Sequence, residues 1–388
     1  MDTQKLDQTY IANTYARFPV TIVKGKGSLV WDDTGKEYID LSTGIAVDIF
    51  GVADEEWMAA VTKQLGTLQH ISNLYYTEPC VKLAQMLCEK TGMKKVFFGN
   101  SGAEANECAI KAARKWSEEK KGKEYATIIT LKNSFHGRTI TTLAATGQDV
   151  FHHDFLPLTE GFAYAEANNL DDLKAQVAAH KCAAIMMEVV QGEGGVMPLD
   201  EAYVKGAAQL CEQYDLLLIC DEVQVGNGRS GKLYGYMHYG VQPDIVSTAK
   251  GLAGGLPLGA TLLGEKVQDV LSAGTHGSTF GGNPVCCAGA LSILHRLDGP
   301  LLQSVQEKSD FIVKALTGAK GVRSVTGLGL MLGVETERPV KDVISECMAR
   351  GVLVISAKNK VRLLPALNIP MAQLEQAVSV LKDVCAGE

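Results

Sequence analysis

Between residues 80 and 285 the chain alternates short, nearly continuous apolar runs with longer segments of helical period. Lys95-Val96-Phe97-Phe98, Ala126 through Leu131, Ala183 through Val190, Leu216 through Cys220 and Asp244 through Thr248 are the runs. Strands this apolar are buried on both faces, which predicts an α/β fold: a mostly parallel central sheet with helices on either side. A helix is expected from the turn after Phe98 through Trp116.

The ends of the chain have another texture. Val20 through Val23, Ser28 through Trp31 and Tyr38 through Leu41, separated by Gly25-Lys26-Gly27 and Asp33-Thr34-Gly35-Lys36, predict a small meander. After residue 285 helices alternate with short strands near Gly327 to Leu330, Gly351 to Val354 and Val361 to Pro365. The expected organisation is therefore a large domain over 51–284 and a small α/β domain over 285–388, against which residues 1–50 pack.

Composition narrows the class. With 46% hydrophobic and 21% charged residues the chain reads as an ordinary globular enzyme, and a net charge of −7 argues against nucleic acid as a partner. Any phosphate must be held by local amides and side chains. The ten cysteines are scattered, with no CxxC pair and no Cys/His cluster at zinc spacing, so reduced thiols and no metal are expected. No signal peptide or membrane-spanning run is evident, which points to the cytosol.

Every polar or glycine-rich cluster of the central region directly follows a strand, and ligands of open α/β sheets collect outside the carboxyl ends of strands. Lys250 closes the run Val246-Ser247-Thr248-Ala249 and opens onto glycines. An amine held away from water loses preference for its charged form, and the neutral amine attacks carbonyls. Asp221 follows Leu216 through Cys220 in the same way. Together they suit pyridoxal phosphate, whose aldehyde needs a lysine and whose ring nitrogen needs an acid. Taken singly, they also read as a solvated lysine and a turn aspartate.

Asn100-Ser101-Gly102-Ala103-Glu104 starts a helix, where free amides and small residues can bind a phosphate. Ser101 with Glu104 equally spells a capping box. In Phe135-His136-Gly137-Arg138 the phenyl ring offers a stacking face and the arginine a carboxylate clamp, or merely a surface cation. Gln191-Gly192-Glu193-Gly194-Gly195 reads as a flexible loop with one acid. Thr275 through Pro284 is too polar and glycine-rich for a core element, and suits a phosphate of this chain or of a partner subunit.

Taken in order, NSGAEA, FHGRT, QGEGG, DEVQ, AKG and GSTFGGNP resemble the class III, or ω-amino, pyridoxal-phosphate aminotransferases of fold type I, from Tyr15 to about Asn368. Tyr15-Ala16-Arg17-Phe18-Pro19-Val20 and Ser42-Thr43-Gly44-Ile45-Ala46-Val47 are similar to the acetylornithine branch. Ornithine-specific members carry an aromatic where Gly44 stands, and a glycine leaves room for an acylated arm.

The resemblance implies roles. Lys250 would carry the cofactor covalently and Asp221 would pair with its ring nitrogen. Val223 and Phe135 would sandwich the ring, and Gln224 would bond its phenolic oxygen. Ser101, Gly102 and Ala103 would bind the phosphate, completed by Thr279 from the second subunit of a homodimer. Arg138 would hold the substrate α-carboxylate, with Tyr15 in the substrate-binding set. Glu193 and Arg362 would form a removable pair, leaving Arg362 neutralised for an acetamido arm and free for a second carboxylate. The implied reaction passes the terminal amino group of N2-acetylornithine to 2-oxoglutarate, giving glutamate, in arginine biosynthesis. Ornithine, succinylornithine and 4-aminobutyrate are alternative donors, and an aminomutase is the alternative of another class. One segment departs from the family: Phe50-Gly51-Val52-Ala53-Asp54-Glu55-Glu56 replaces a common Gly-His-x-His-Pro.

Overall fold

The computed structural model describes residues 3–388. Its central sheet has seven strands in the order Lys95–Gly99, Gly259–Leu263, Ile245–Thr248, Leu217–Asp221, Cys182–Met187, Thr127–Leu131 and Phe162–Ala165. All neighbours are parallel except the two pairings of Gly259–Leu263. Along Cys182–Met187, Ala184 and Met186 enter one apolar cluster with Ile110 and Trp116 of the helix Gly102–Lys121, while Ile185 and Met187 enter a second cluster on the opposite face. Both faces being covered explains the absence of polar alternation. Each such large side chain contributes roughly 1.5–3 kcal/mol on burial.

The apolar run from Ala183 to Val190 is not one strand. The strand ends at Met187, Glu188 follows outside it, and Val190–Gln191 pairs with Met197–Pro198 as a separate hairpin. Val189 and Val190 are apolar because they stay buried, not because they extend the sheet.

The N-terminal strands Ile22–Lys26, Leu29–Asp32 and Glu37–Asp40 form an antiparallel meander that continues into Val352–Leu353 by parallel pairing. The two ends of the chain therefore share one sheet. A further antiparallel sheet runs Val322–Leu328, Met331–Thr336, Lys360–Leu363, Ile355–Ala357. The helix Pro284–Arg296 packs on Glu55–Leu65 and Glu78–Thr91, so the first element past residue 284 sits with the large sheet's companions. Among the described residues no single helix is long and apolar enough to cross a membrane.

The segment that departs from the family is anchored at Phe50 and Asp54, while Glu55 and Glu56 are exposed. Phe50 is buried under the Arg296 guanidinium, 3.9 Å from its ring centroid, and Arg296 also pairs with Asp54 at 2.8 Å. Asp54 in turn caps the next helix by accepting the Trp57 amide. Just upstream, Thr43, Gly44, Ile45 and Ala46 all have positive φ, at 47°, 61°, 67° and 63°. This is one turn of left-handed helix, disfavoured by about 1–2 kcal/mol for each residue that carries a β-carbon. It is held by Asp40, whose carboxylate accepts from the Ser42 and Thr43 amides and the Ser42 hydroxyl.

Where Gly259–Leu263 begins, the backbone crosses the start of the helix Gly102–Lys121. A β-carbon on Gly259 would lie 2.2 Å from the Ser101 carbonyl oxygen. Gly259→Ala is expected to lower stability by ~1–3 kcal/mol, seen as a lower urea midpoint at unchanged slope. An unshifted midpoint would show that this crossing yields freely.

Candidate active site

The carboxyl ends of the parallel strands and the helix Gly102–Lys121 open on a cavity of about 280 Å³. Gly102, Ala103 and Asn106 of the helix line it, as do Phe135 through Arg138, Glu188, Asp221, Val223, Gln224 and Lys250. Sequence regions more than a hundred residues apart thus meet because parallel strands all end on one side of the sheet.

Asp221 is the last residue of its strand and is buried. Its Oδ2 accepts from Asn106 Nδ2 at 2.8 Å and lies 2.8 Å from His136 Nδ1, while Oδ1 accepts the Val223 amide at 3.0 Å. Facing a carboxylate, His136 Nδ1 is the donor. Asn106 Nδ2 also donates to the His136 carbonyl, at 2.7 Å, which fixes both partners together. A carboxylate this constrained presents its charge in one direction, toward the cavity it lines.

Lys250 stands where the strand Ile245–Thr248 has just ended, with φ of 44°, and starts a short 3-10 turn through Ala253. Burial lowers its pKa, against the pull of the Glu193 and Asp221 carboxylates, which favour the charged amine. Glu188 lines the same cavity and accepts the Phe135 amide at 2.9 Å. Burial pushes its carboxyl up to about 7, with His136 opposing and Asp221 adding to the rise.

The residues fit pyridoxal phosphate. Ser101 caps the helix by accepting the Glu104 amide at 3.1 Å, and the Gly102 and Ala103 amides remain for a phosphate beside the cavity. Of the capping box only the Ser101 half forms, since the Glu104 carboxylate accepts from the Asn100 amide and not from that of Ser101. Gly102 must lack a β-carbon, which would meet Val223 Cγ1 at 2.7 Å. Val223 and Phe135 supply apolar walls, and Asp221 and Lys250 the acid and the amine.

Glu193 and Arg362 do meet. Arg362, buried on Lys360–Leu363, bonds Glu193 Oε1 at 2.5 Å and Gln224 Oε1 at 2.9 Å, and Gln224 Nε2 donates to Glu193 at 3.3 Å. Burial alone would raise the Glu193 carboxyl, but Arg362 outweighs it and the net shift is downward. The loop predicted to be flexible is a tight hairpin pressed on Gln224: a β-carbon on Gly192 would lie 2.5 Å from Gln224 Oε1. Arg138 is exposed at the cavity mouth, its guanidinium 5.5 Å from the Phe135 ring centroid and 5.0 Å from that of Phe151. Thr279 and Tyr15 are also exposed, and neither lines this chain's cavity.

Four lining residues, Asn106, His136, Gly137 and Glu188, carry no role read from the sequence. His136 was quoted only as part of its motif. Asn106 lies one turn beyond Gly102 and so shares its helix face, a spacing that was available. Glu188 interrupts an apolar run, and a charge inside a buried run is itself a signal.

A sequence model of the family described as Aminotransferase class-III matches residues 10–385. The acetylornithine aminotransferase of Haemophilus ducreyi is 51% identical, over 98% of this chain and 98% of its own length. That of Methanocaldococcus jannaschii is 42% identical over 98% and 96%. Among solved structures, ornithine aminotransferase from Toxoplasma gondii aligns with a TM-score of 0.95 at 32% identity, covering 99% of this chain and 94% of its own. N-acetylornithine aminotransferase from Stenotrophomonas maltophilia aligns at 0.86 and 34%, covering 99% and 98%. Backbone likeness thus spans enzymes named for different donors, and the substrate has to be argued from side chains. The chain belongs to the class III aminotransferases, transaminases of fold type I that depend on pyridoxal phosphate.

Proposed function

We propose that this enzyme transfers the terminal amino group of N2-acetylornithine to 2-oxoglutarate. The observation that carries the reading is the buried Arg362 beside the cavity, neutralised by Glu193 and steadied by Gln224. One pocket has to accept a neutral acetamido arm in one half-reaction and a second carboxylate in the other. A charge that is masked for the first and released for the second meets both demands. The full-length likeness to acetylornithine aminotransferases supports the same donor.

Bound pyridoxal phosphate supplies an aldehyde that captures the amine and a ring that accepts electrons from the amine-bearing carbon. The protein does the rest. Gly102 and Ala103 amides, with the Ser101 hydroxyl, hold the phosphate. Asp221, locked by Asn106, His136 and the Val223 amide, keeps a negative charge against the ring nitrogen. Gln224 serves the phenolic oxygen, and Val223 and Phe135 enclose the ring. Lys250 Nζ, biased toward its neutral form, takes the proton from the amine-bearing carbon. Arg138 binds the α-carboxylate at the mouth, with Tyr15 brought to the substrate in the assembly.

That assembly is a homodimer in this reading. Leu74, Tyr75, Tyr76 and Phe280 are large apolar side chains left exposed, with Tyr76 fully so, and Thr279, next to Phe280 in the chain, accepts from the Ser72 hydroxyl at its carbonyl at 3.0 Å. A second copy would cover them and receive Thr279 at its own phosphate site. The enzyme works in the cytosol.

Lys250→Ala is expected to lose the visible absorbance of lysine-attached cofactor and at least about 100-fold in turnover. Retained absorbance and turnover would remove Lys250 from its role. Mixing wild-type enzyme with N2-acetylornithine, ornithine, succinylornithine and 4-aminobutyrate in turn should bleach that band fastest with the first. A faster reaction with another amine would reassign the donor. Arg138→Ala should raise KM for both substrates by roughly 10-fold or more, the scale of a lost hydrogen bond to a charged group.

The Glu188 shift predicts a pH effect on stability. Its folded pKa lies above its unfolded value, so between about 4.5 and 7 the native state holds the extra proton and stability falls as pH rises. Relative to Glu188→Gln, the wild type should lose about 3 kcal/mol of urea stability across that window. Parallel pH profiles for the two proteins would show that the carboxyl is not held protonated.

A further inference from the structure

Three buried donors from three parts of the chain converge on the backbone just beyond Arg362. Thr43 Oγ1 donates to the Leu364 carbonyl at 2.6 Å, and Lys308 Nζ to the Leu367 carbonyl at 2.6 Å. Arg229 Nη1 donates to the Pro365 carbonyl and, at 3.2 Å, to that of Leu330. All three side chains are buried, and among the described residues no carboxylate lies within ion-pair distance of Arg229 or Lys308. Burial pulls the Arg229 guanidinium down to about 9. Enclosing two cations without counter-charges is unfavourable, and apolar residues would join these elements more stably. Backbone bonds fix the same stretch, with the Leu364 amide on Leu41 and the Leu367 amide on Ile49. Thr43 is moreover the first residue of the left-handed turn, which reaches Gly251 beside Lys250: a β-carbon there would lie 3.3 Å from the Ala46 carbonyl.

We propose that Thr43, Arg229 and Lys308 are positioning residues that lock the end of the strand Lys360–Leu363, so that the Arg362 guanidinium is presented to the distal carboxylate of a dicarboxylic substrate. The proposal rests on the reading of Glu193 and Arg362 as a carboxylate switch. A small displacement of this strand end would separate Arg362 from Glu193 and Gln224 while leaving Lys250, Asp221 and the phosphate loop in place.

The test uses holoenzyme and glutarate, a dicarboxylate that carries no group to transaminate, with binding measured by calorimetry. Thr43→Val keeps the shape and removes the hydroxyl; Lys308→Met keeps the length and removes the charge. Both are expected to weaken glutarate about 10-fold, with the half-reaction rate for N2-acetylornithine within about twofold of wild type. Thr43→Ser should restore glutarate binding. Unchanged glutarate affinity in both variants, or glutarate binding and amine half-reaction falling together and unrescued by Thr43→Ser, overturns the proposal. Arg362→Gln separates the two readings. If it binds glutarate like wild type, the switch reading falls and takes this proposal with it. If it loses glutarate while Thr43→Val and Lys308→Met do not, only the positioning proposal falls.

Discussion

An ammonium group enclosed by protein gives up most of its hydration, and carboxylates sharing the enclosure pull its charge back. Lys250 is poised between these two effects. Burial disfavours its proton, while Glu193, Asp221 and Glu188 favour it, and burial prevails. The balance depends on how much negative charge each acid presents. Arg362 draws on Glu193, two side chains and one amide tether Asp221, and burial keeps a proton on Glu188 to about pH 7. The Lys250 amine is thus set by its neighbours' partners as much as by its own depth.

Much of this was readable from the residues. Runs such as Leu216 to Cys220 could only be strands buried on both faces, and once they were placed in a parallel sheet, Asp221 and Lys250 had to emerge on one side. The Glu193 and Arg362 pairing, separated by much of the chain, was reached only through family resemblance; no spacing or period connects a hairpin of the large sheet's region to a strand of the C-terminal one. Other features left no local trace. Gly259–Leu263 enters the sheet antiparallel, which apolar pattern cannot distinguish from parallel. Four consecutive positive φ values from Thr43 to Ala46 arise because Asp40 and the Leu364 carbonyl hold the turn from outside. Such overrides are tertiary, and the sequence around Ile45 and Ala46 offers nothing that favours a left-handed backbone.

The two ends of the chain do more than close the fold. The N-terminal meander takes Val352–Leu353 as its fourth strand, and beyond that pairing Thr43 bonds the Leu364 carbonyl, next to the strand of the C-terminal sheet that carries Arg362. The residues that line the cavity come from the large sheet and the elements around it, whereas Arg362 is borne by the C-terminal sheet. The cavity and the strand of Arg362 are therefore separate pieces of backbone, joined at the Gln224 side-chain amide.

The left-handed turn also limits which residues position 44 can accept. Gly44 occupies the second position of that turn, where a β-carbon would meet only Asp48 at 3.7 Å and Val47 at 3.8 Å, so a larger residue meets a backbone penalty before any steric one. Asparagine or aspartate tolerates that conformation best, whereas a bulky aromatic must either strain further or unwind the turn and release Thr43 from Leu364. Enlarging the side chain and loosening the hold on Leu364 are, at this position, the same event.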